Sequence, residues 1–293
     1  MKNILKKLIQ QLPDKLFLQI KYFYIFKKKL NLKNPKTFNE KLQWLKLYDR
    51  NPFYTILADK ILVKDYIAKT LGEEYVIPTL GVYHHFDEID FDELPNSFVM
   101  KTNHDSGSII IVKNKEDLNI QEAREKLQKS LERDYFIFGR EWPYKNIERK
   151  IIIEEFMTDE SNQELKDYKI YCFNGLPKFV HVDYDRFTNH KRNIYDSNWK
   201  QQEFMYAFPS DKNKTIEKPA ELSEMIELVR KLSKEMPFVR CDFYIVNHKI
   251  LFGEMTFCPG SGFEKFYPEQ YDVEFGKDIT LPEKHEWKQK KNV

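Results

Sequence analysis

Between Val239 and Gly262 the chain reads V-R-C-D-F-Y-I-V-N-H-K-I-L-F-G-E-M-T-F-C-P-G-S-G, and no other stretch limits the fold as strongly. Two runs of alternating apolar and polar residues flank Asn247-His248-Lys249, as expected of a hairpin with one buried face. With those three residues as the loop, Val246 faces Ile250, Asp242 faces Glu254 and Arg240 faces Thr256. The charges then share one face. Cys241, Phe243 and Ile245 lie against Leu251, Gly253 and Met255 on the other, where no charge falls. A two-residue Asn247-His248 turn is rejected, because it shifts the pairing by one and sets each strand's apolar face against the other's polar face.

Like charges directly opposite each other across strands repel unless a cation lies between them. Asp242 and Glu254 therefore point to a hard divalent ion, and Mg²⁺ takes a few carboxylate oxygens together with substrate phosphates. Arg240, one pair along, can neutralise a phosphate that shares the metal. Directly after the second strand, Gly260-Ser261-Gly262 lets backbone N–H groups approach an anion closely. The competing reading of the hairpin is an ordinary solvated face.

Composition permits an enzyme of this kind. The chain has 293 residues, 41% of them hydrophobic, enough for one large or two modest domains with a real core. Lys+Arg 48 against Asp+Glu 46 leaves a formal net charge of +2, so no global basic field argues for nucleic acid. Cys172, Cys241 and Cys258 lack zinc spacing and would leave one thiol over if two paired, which fits a reducing cytoplasm. No run reaches the roughly 20 apolar residues of a membrane span, and the richest, Leu16 to Phe26, is interrupted by Gln19 and Lys21. The first residues lack the pattern of a secretory signal. Ile4, Leu5, Leu8, Ile9 and Leu12 make a helical stripe among lysines, and Lys27-Lys28-Lys29 follow an aromatic run. That composition suits a helix on an anionic membrane or, as the favoured reading, one packed on the protein body.

Elsewhere, Thr37-Phe38-Asn39-Glu40 forms a capping box for a helix from Phe38 to about Tyr48, which Asn51-Pro52 ends. A second helix is expected from about Ala58 to Thr70. Ser97 to Lys101 and Ile109 to Val112 read as strands, Gln121 to Arg133 as a helix and Lys150 to Met157 as a buried strand. Tyr168 to Phe173 and Lys178 to Asp183 pair around Asn174-Gly175, and Leu222 to Met236 is an amphipathic helix. Helices first and then a mostly β region argue for an α+β fold rather than a doubly wound parallel sheet.

Arg240-Cys241-Asp242 followed by Glu254-Met255-Thr256-Phe257-Cys258-Pro259-Gly260 resembles the ATP-grasp signature R-x-D then E-x-N-x-x-P-G, with Thr256 standing where the family has Asn. Asn34 to Lys46, Ala58-Asp59-Lys60 and Leu94 to Lys101 extend the likeness over nearly the whole chain, to the TupA-like branch linked to teichuronopeptide and capsular polysaccharide biosynthesis. The resemblance implies two α+β lobes clasping ATP: a helical region 1–57 precedes a catalytic region 58–293, in which a lobe around 95–157 covers the nucleotide and 158–280 carries the metal hairpin. It further implies that Asp242, Glu254 and Thr256 hold Mg²⁺, and that Lys60, Lys101 and the loop Asp105-Ser106-Gly107-Ser108 contact the phosphates of ATP. Glu155 and Met157 would read adenine through their backbone, with Glu154 as its side-chain partner and Asp167 on the ribose.

The activity so implied is a carboxylate–amine ligase that phosphorylates a carboxylate and releases ADP and phosphate. Arg240 and Lys101 would stabilise the transferred phosphoryl group, and Gly260, Ser261 and Gly262 the tetrahedral intermediate. Arg186 and Lys191, with Ser261, are the candidates for gripping an anionic substrate, expected to be a uronic acid of a surface-polysaccharide precursor. The alternatives are a sugar or acyl kinase and a nucleotide-binding subunit of an envelope-assembly complex. The expected location is the cytoplasm, extending to the inner face of the plasma membrane through peripheral or complex association, without a transmembrane span.

Overall fold

The structure is a computed structural model that describes residues 10–158, 165–184 and 190–284. Arg186 and the stripe from Ile4 to Ile9 lie outside them.

Helix α1, Asp14–Phe26, turns Phe17, Leu18 and Tyr22 inward and ends where Lys27 enters the left-handed region. Helix α2, Phe38–Tyr48, starts on the expected capping box, in which the Thr37 side chain accepts from the Glu40 amide and Glu40 reaches back. The single helix anticipated from Ala58 to Thr70 is instead two, α3 (Phe53–Ala58) and α4 (Leu62–Thr70). Asp59 is the cause. Its Oδ1 accepts from the Ile61 amide at 2.8 Å and from Asn103 Nδ2 at 3.0 Å, offering the backbone an alternative to helix continuation.

A four-stranded antiparallel sheet follows, built from β1 (Thr79–Tyr83), β2 (Phe98–Thr102), β3 (Ile110–Val112) and β4 (Ile151–Glu155) in the order β1-β4-β2-β3. Helix α5, Ile120–Leu131, buries Ala123 and Leu127 beside Phe98, Met100, Ile151 and Ile153 of this sheet. The short helix α6, Phe136–Gly139, leads back to β4.

The larger sheet contains β5 (Asp167–Phe173), β6 (Leu176–Tyr184), β7 (Lys191–Asp196), β9 (Phe238–Val246) and β10 (Lys249–Thr256). All its pairs are antiparallel, in the order β10-β9-β5-β6-β7. Strand β8, Met205–Tyr206, pairs separately with β11, Phe266–Tyr267. The expected α+β class is what the element order shows.

Side-chain alternation gives the larger sheet two unlike faces. One presents Ile170, Cys172, Val180, Val182, Val239, Cys241 and Phe243 to helix α7, Leu222–Ser233, which buries Met225, Val229 and Leu232 against them. The other is divided: one end is aromatic, with Tyr171, Phe173, Phe179 and Phe238 packed against residues of α1 and α2 and against Phe275 of helix α8, Gln270–Asp278. Its other end is charged.

Helix α8 can approach α2 this closely only because residue 276 is glycine, where a Cβ would lie 2.1 Å from Lys36 O and 2.7 Å from Thr37 C. Backbone cannot yield as a side-chain tip can. Gly276→Ala is therefore expected to destabilise the fold by about 1–3 kcal/mol or more, read as a lower denaturant midpoint with unchanged m-value.

The β9–β10 hairpin corrects the expected turn. Val246 pairs with Lys249, so the turn is the two-residue Asn247-His248, both with positive φ (49° and 62°). Near the turn Phe243 then faces Phe252. A bulge at Gly253, between Phe252 and Glu254, takes up one residue and restores Asp242 opposite Glu254 and Arg240 opposite Thr256. The three-residue loop was wrong, while the facing of the charged pairs was right.

Candidate active site

On the charged end of the larger sheet, side chains stack in rows across the strands. The first runs Thr256, Arg240, Tyr171, Phe179; the second Glu254, Asp242, Lys169, His181; the third Tyr244, Asp167, Asp183, Arg192. Arg240 Nε and Nη2 lie 2.6 Å from Asp242 Oδ1 and Oδ2, and the same Nη2 lies 2.6 Å from Glu254 Oε1. Arg240 is thus the cation between the opposed acids in this structure. Thr256 Oγ1 donates to Glu254 Oε1 at 3.0 Å.

Asp242 is 2% exposed, so the reading of a freely solvated face fails at that residue, whereas the Glu254 side chain is 37% exposed. Burial pushes the Asp242 carboxyl up from its ordinary range, opposed by Arg240 and Lys169. For Glu254 the upward push of burial is outweighed by Arg240, Lys60 and Lys169, which hold it at about 2. Lys169 reaches Asp242 at 3.0 Å and also contacts Asp167, and Arg192 grips Asp183 through Nε at 2.5 Å and Nη2 at 2.9 Å. Charges buried this deeply are tolerated because each is paired.

A crevice beside β10 is lined by Lys60, Lys64, Lys101, Glu154 and Gly253, with Val63, Val76, Ile77 and Phe252 as its apolar wall. Lys101 Nζ is 2.5 Å and Lys64 Nζ 2.6 Å from separate oxygens of Glu154, a residue 4% exposed. Glu154, expected to meet an adenine amino group, is here occupied by two lysines. Lys60 sits at the α3–α4 break rather than on a helix surface, and its Nζ donates to Asp105 O. Burial lowers its pKa, with Glu254 the largest opposing charge, so the lysine crevice and the acid pair act on one another.

In the loop after β2, Asp105 Oδ1 accepts from Thr102 at 2.7 Å and Ser108 at 2.6 Å, and Oδ2 from Ser130 at 2.6 Å. Those side chains hold the loop's shape. Ser106 and Gly107 form its exposed tip, with Gly107 at φ +95° and open space where a Cβ would stand. On β4, Glu155 is exposed and its amide donates to Pro78 O at 3.1 Å; Met157 follows the strand, half-buried. Asp167 is 3% exposed and engaged by Lys169.

The glycine turn is built left-handed, with positive φ at Gly260, Ser261 and Gly262. The Ser261 amide donates to Cys258 O at 2.8 Å, while the Ser261 carbonyl accepts from Lys46 Nζ at 2.5 Å. Gly262 O accepts from Gln43 Nε2 at 2.7 Å, so α2 clamps the turn from a distance of more than two hundred residues. Ser261 Oγ is taken by Glu141, which ties this proposed substrate ligand to protein. Lys46 also donates to Gly139 O at 2.8 Å, and burial lowers its pKa to about 8. Cys258 lies buried beside this cluster, and burial pushes its thiol up, away from the thiolate a nucleophile needs.

Lys191 pairs with Asp211 at 3.0 Å and is not joined to the charged rows; its intended companion Arg186 lies outside the described residues. Sequence reasoning missed Lys64, Lys169, Arg192, Asp183, Lys46 and Glu141. The alternation Asp167-Tyr168-Lys169 offered a signal for Lys169, since i and i+2 share a face. It missed His181 as well, which is fully buried at 4.2 Å from the Tyr171 ring; neither its ring nitrogens nor the Tyr171 hydroxyl has a hydrogen-bond partner among the described residues.

Asp242 and Glu254 are two hard oxygen donors facing each other with a hydroxyl beside one, a donor set that fits Mg²⁺ completed by phosphate oxygens. Among the described residues no group of three or more His, Cys, Asp or Glu is placed to hold a metal unaided.

The chain matches the family described as TupA-like ATPgrasp over residues 40–280. None of the curated proteins matches it. Among solved structures it is similar to D-alanine–D-alanine ligase from Bacillus anthracis (19% identity, TM-score 0.39, 69% of this chain and 57% of that one). It is similar too to N5-carboxyaminoimidazole synthase from Aspergillus clavatus in complex with ADP and 5-aminoimidazole ribonucleotide (13%, TM-score 0.41, 78% and 53%). A third is the ATP-grasp ligase PsnB complexed with a phosphomimetic variant of its minimal precursor, Mg and ADP (10%, TM-score 0.41, 75% and 57%). The chain spans little more than half the length of each of these three. With the signature residues on facing strands of one hairpin and the family match running through both sheets, this chain belongs to the TupA-like ATP-grasp family.

Proposed function

We propose that the protein is an ATP- and Mg²⁺-dependent carboxylate–amine ligase of the cytoplasm, acting on a uronic-acid carboxylate of a surface-polysaccharide precursor. The observation that carries this reading is the junction at Gly253 and Glu254: the first lines the crevice of Lys60, Lys64 and Lys101, and the second faces Asp242 across the hairpin. Cations suited to phosphate and acids suited to a metal thereby adjoin one another.

In this reading 58–293 form the catalytic region, with a nucleotide-covering lobe around 95–157, and helix α2 of the preceding region braces it through Lys46 and Gln43. Asp242, Glu254 and Thr256 hold the Mg²⁺, whose charge when bound offsets that of the triphosphate. Lys60 and Lys101 hold phosphate oxygens, and amides of Asp105, Ser106, Gly107 and Ser108 cover them. Backbone groups of Glu155 and Met157 orient adenine beside Glu154, and Asp167 takes the ribose. A carboxylate oxygen attacks the γ-phosphorus in line, ADP departs, the amine attacks the acyl carbon and phosphate leaves. Arg240 stabilises charge on the transferred group; amides of Gly260 and Gly262 would hold the tetrahedral oxyanion, with Ser261, Arg186 and Lys191 on the substrate side.

Lys101→Met keeps the aliphatic stem but removes a charge from the crevice. Glu154 retains Lys64, so the fold survives, and ATP binding by calorimetry is expected to weaken by about 1.5–3 kcal/mol. Affinity equal to wild type would exclude Lys101 from the phosphates.

The reaction is tested by incubating the protein with ATP, Mg²⁺ and a matrix of uronic acids and amines while following ADP, AMP and phosphate. Equal ADP and phosphate, formed only with both substrates, and trapping of a hydroxamate by hydroxylamine are the expected results. AMP with pyrophosphate contradicts the mechanism. A stable phosphorylated sugar made without amine establishes the kinase instead, and ATP binding with no turnover on any pair a nucleotide-binding subunit.

A further inference from the structure

Helix α1 is apolar on its outward side as well as its inward one. Phe17, Leu18 and Tyr22 face the body, where Arg140 lies 4.4 Å over the Phe17 ring and Arg50 pairs with Asp14 at 2.8 Å, so the helix is held firmly. On the opposite side Leu16, Ile20 and Phe23 follow one another at helical spacing and are 43%, 41% and 56% exposed, with Tyr24 beside them at 75%. Lys27 continues the same stripe, its Nζ 4.8 Å over the Tyr24 ring. A continuous exposed row of large apolar side chains on a rigid helix calls for an occupant.

Charge identifies that occupant. From Lys15 to Asn39 the sequence contains seven lysines and no Asp or Glu, in a chain whose overall balance is only +2. Lys21 is turned inward, where its Nζ meets the Phe263 ring at 4.5 Å, and Lys28 pairs with Glu269; Lys15, Lys27 and Lys29 flank the apolar row. Among the described residues no helix is long and apolar enough to cross a membrane. We infer that the outer face of α1, through Leu16, Ile20, Phe23 and Tyr24 with Lys15, Lys27 and Lys29 around them, docks on an anionic phospholipid surface. Apolar side chains enter the acyl boundary while the lysines meet lipid phosphates, the two contributions that interfacial helices combine. The inner face of the helix touches Phe263, directly after the glycine turn, so docking would set that turn about one helix diameter, roughly 10 Å, from the lipid headgroups.

The inference is independent of the ligase reading and is tested apart from it. The full chain is sedimented with phosphatidylcholine vesicles with and without phosphatidylglycerol, alongside Leu16→Ser/Phe23→Ser and Lys27→Glu/Lys29→Glu. Wild type is expected to bind the anionic vesicles in a salt-sensitive manner and the neutral ones weakly, and each double variant to bind the anionic vesicles about tenfold less with an unchanged melting temperature. Should the serine variant fold poorly, the glutamate variant, changed only at exposed lysines, decides. Absence of wild-type binding to anionic vesicles overturns the inference, as does binding that both variants retain. Wild type that is dimeric by light scattering and becomes monomeric in the serine variant, without vesicle binding, would assign the row to a second copy of the chain and overturn it equally.

Discussion

Asp242→Asn is expected to lower Mg²⁺-dependent ATP turnover by about a hundredfold or more, the scale on which single preorganised electrostatic groups act in phosphoryl and acyl transfer. The substitution keeps the shape of the side chain and removes its charge. Fold should survive, because Arg240 retains Glu254 and Lys169 retains Asp167. Comparison of melting temperature with turnover therefore separates a metal ligand from a structural acid. Glu254→Gln should show the same loss of turnover with less effect on stability, since its side chain is more open to solvent. Turnover near the wild-type value in both variants would remove the metal from this hairpin.

The largest effect on stability is expected from Arg192→Met. Arg192 and Asp183 are 6% and 2% exposed and form a bidentate pair, and cutting one partner from such a pair leaves a buried charge at a cost of about 3–5 kcal/mol. Lys169 at 3.9 Å from Asp183 places the expected value at the lower end. At roughly 2–4 °C per kcal/mol this is a fall of about 10 °C in Tm. Arg192→Met combined with Asp183→Leu should regain part of it, as removal of both charges ends the penalty of the unpaired one. A double variant less stable than the sum of the single ones would contradict the pairing.

What could be read beforehand was local. The capping box at Thr37 and Glu40 and the Asn174-Gly175 turn, at positive φ in both residues, depend on neighbours within four positions. Alternation along β9 likewise placed Arg240 and Asp242 on one face and Cys241 and Phe243 on the other. The signature spacing from Arg240 to Gly260 lies within one hairpin and the turn directly after it, which is why family membership was legible as well. Boundaries were less so: Asp59 broke a helix whose apolar period ran on, because its partner Asn103 is remote in sequence.

By itself, then, the sequence determined which residues share a strand face, where the caps and tight turns fall, and the α+β class. Tertiary structure alone decided which cations meet Asp242 and Glu254. The Gly253 bulge reconciled a two-residue turn with the facing of Asp242 and Glu254, an outcome that strand alternation, counting residues with a period of two, cannot register. Arg240 became the bridging cation, Lys169 entered the acid row from β5, and Lys46 came from α2 to hold the glycine turn. These partners are separated by tens to hundreds of residues, and the energy that joins them is the pairing of charges removed from water, which exists only after the sheet and helices have closed around them.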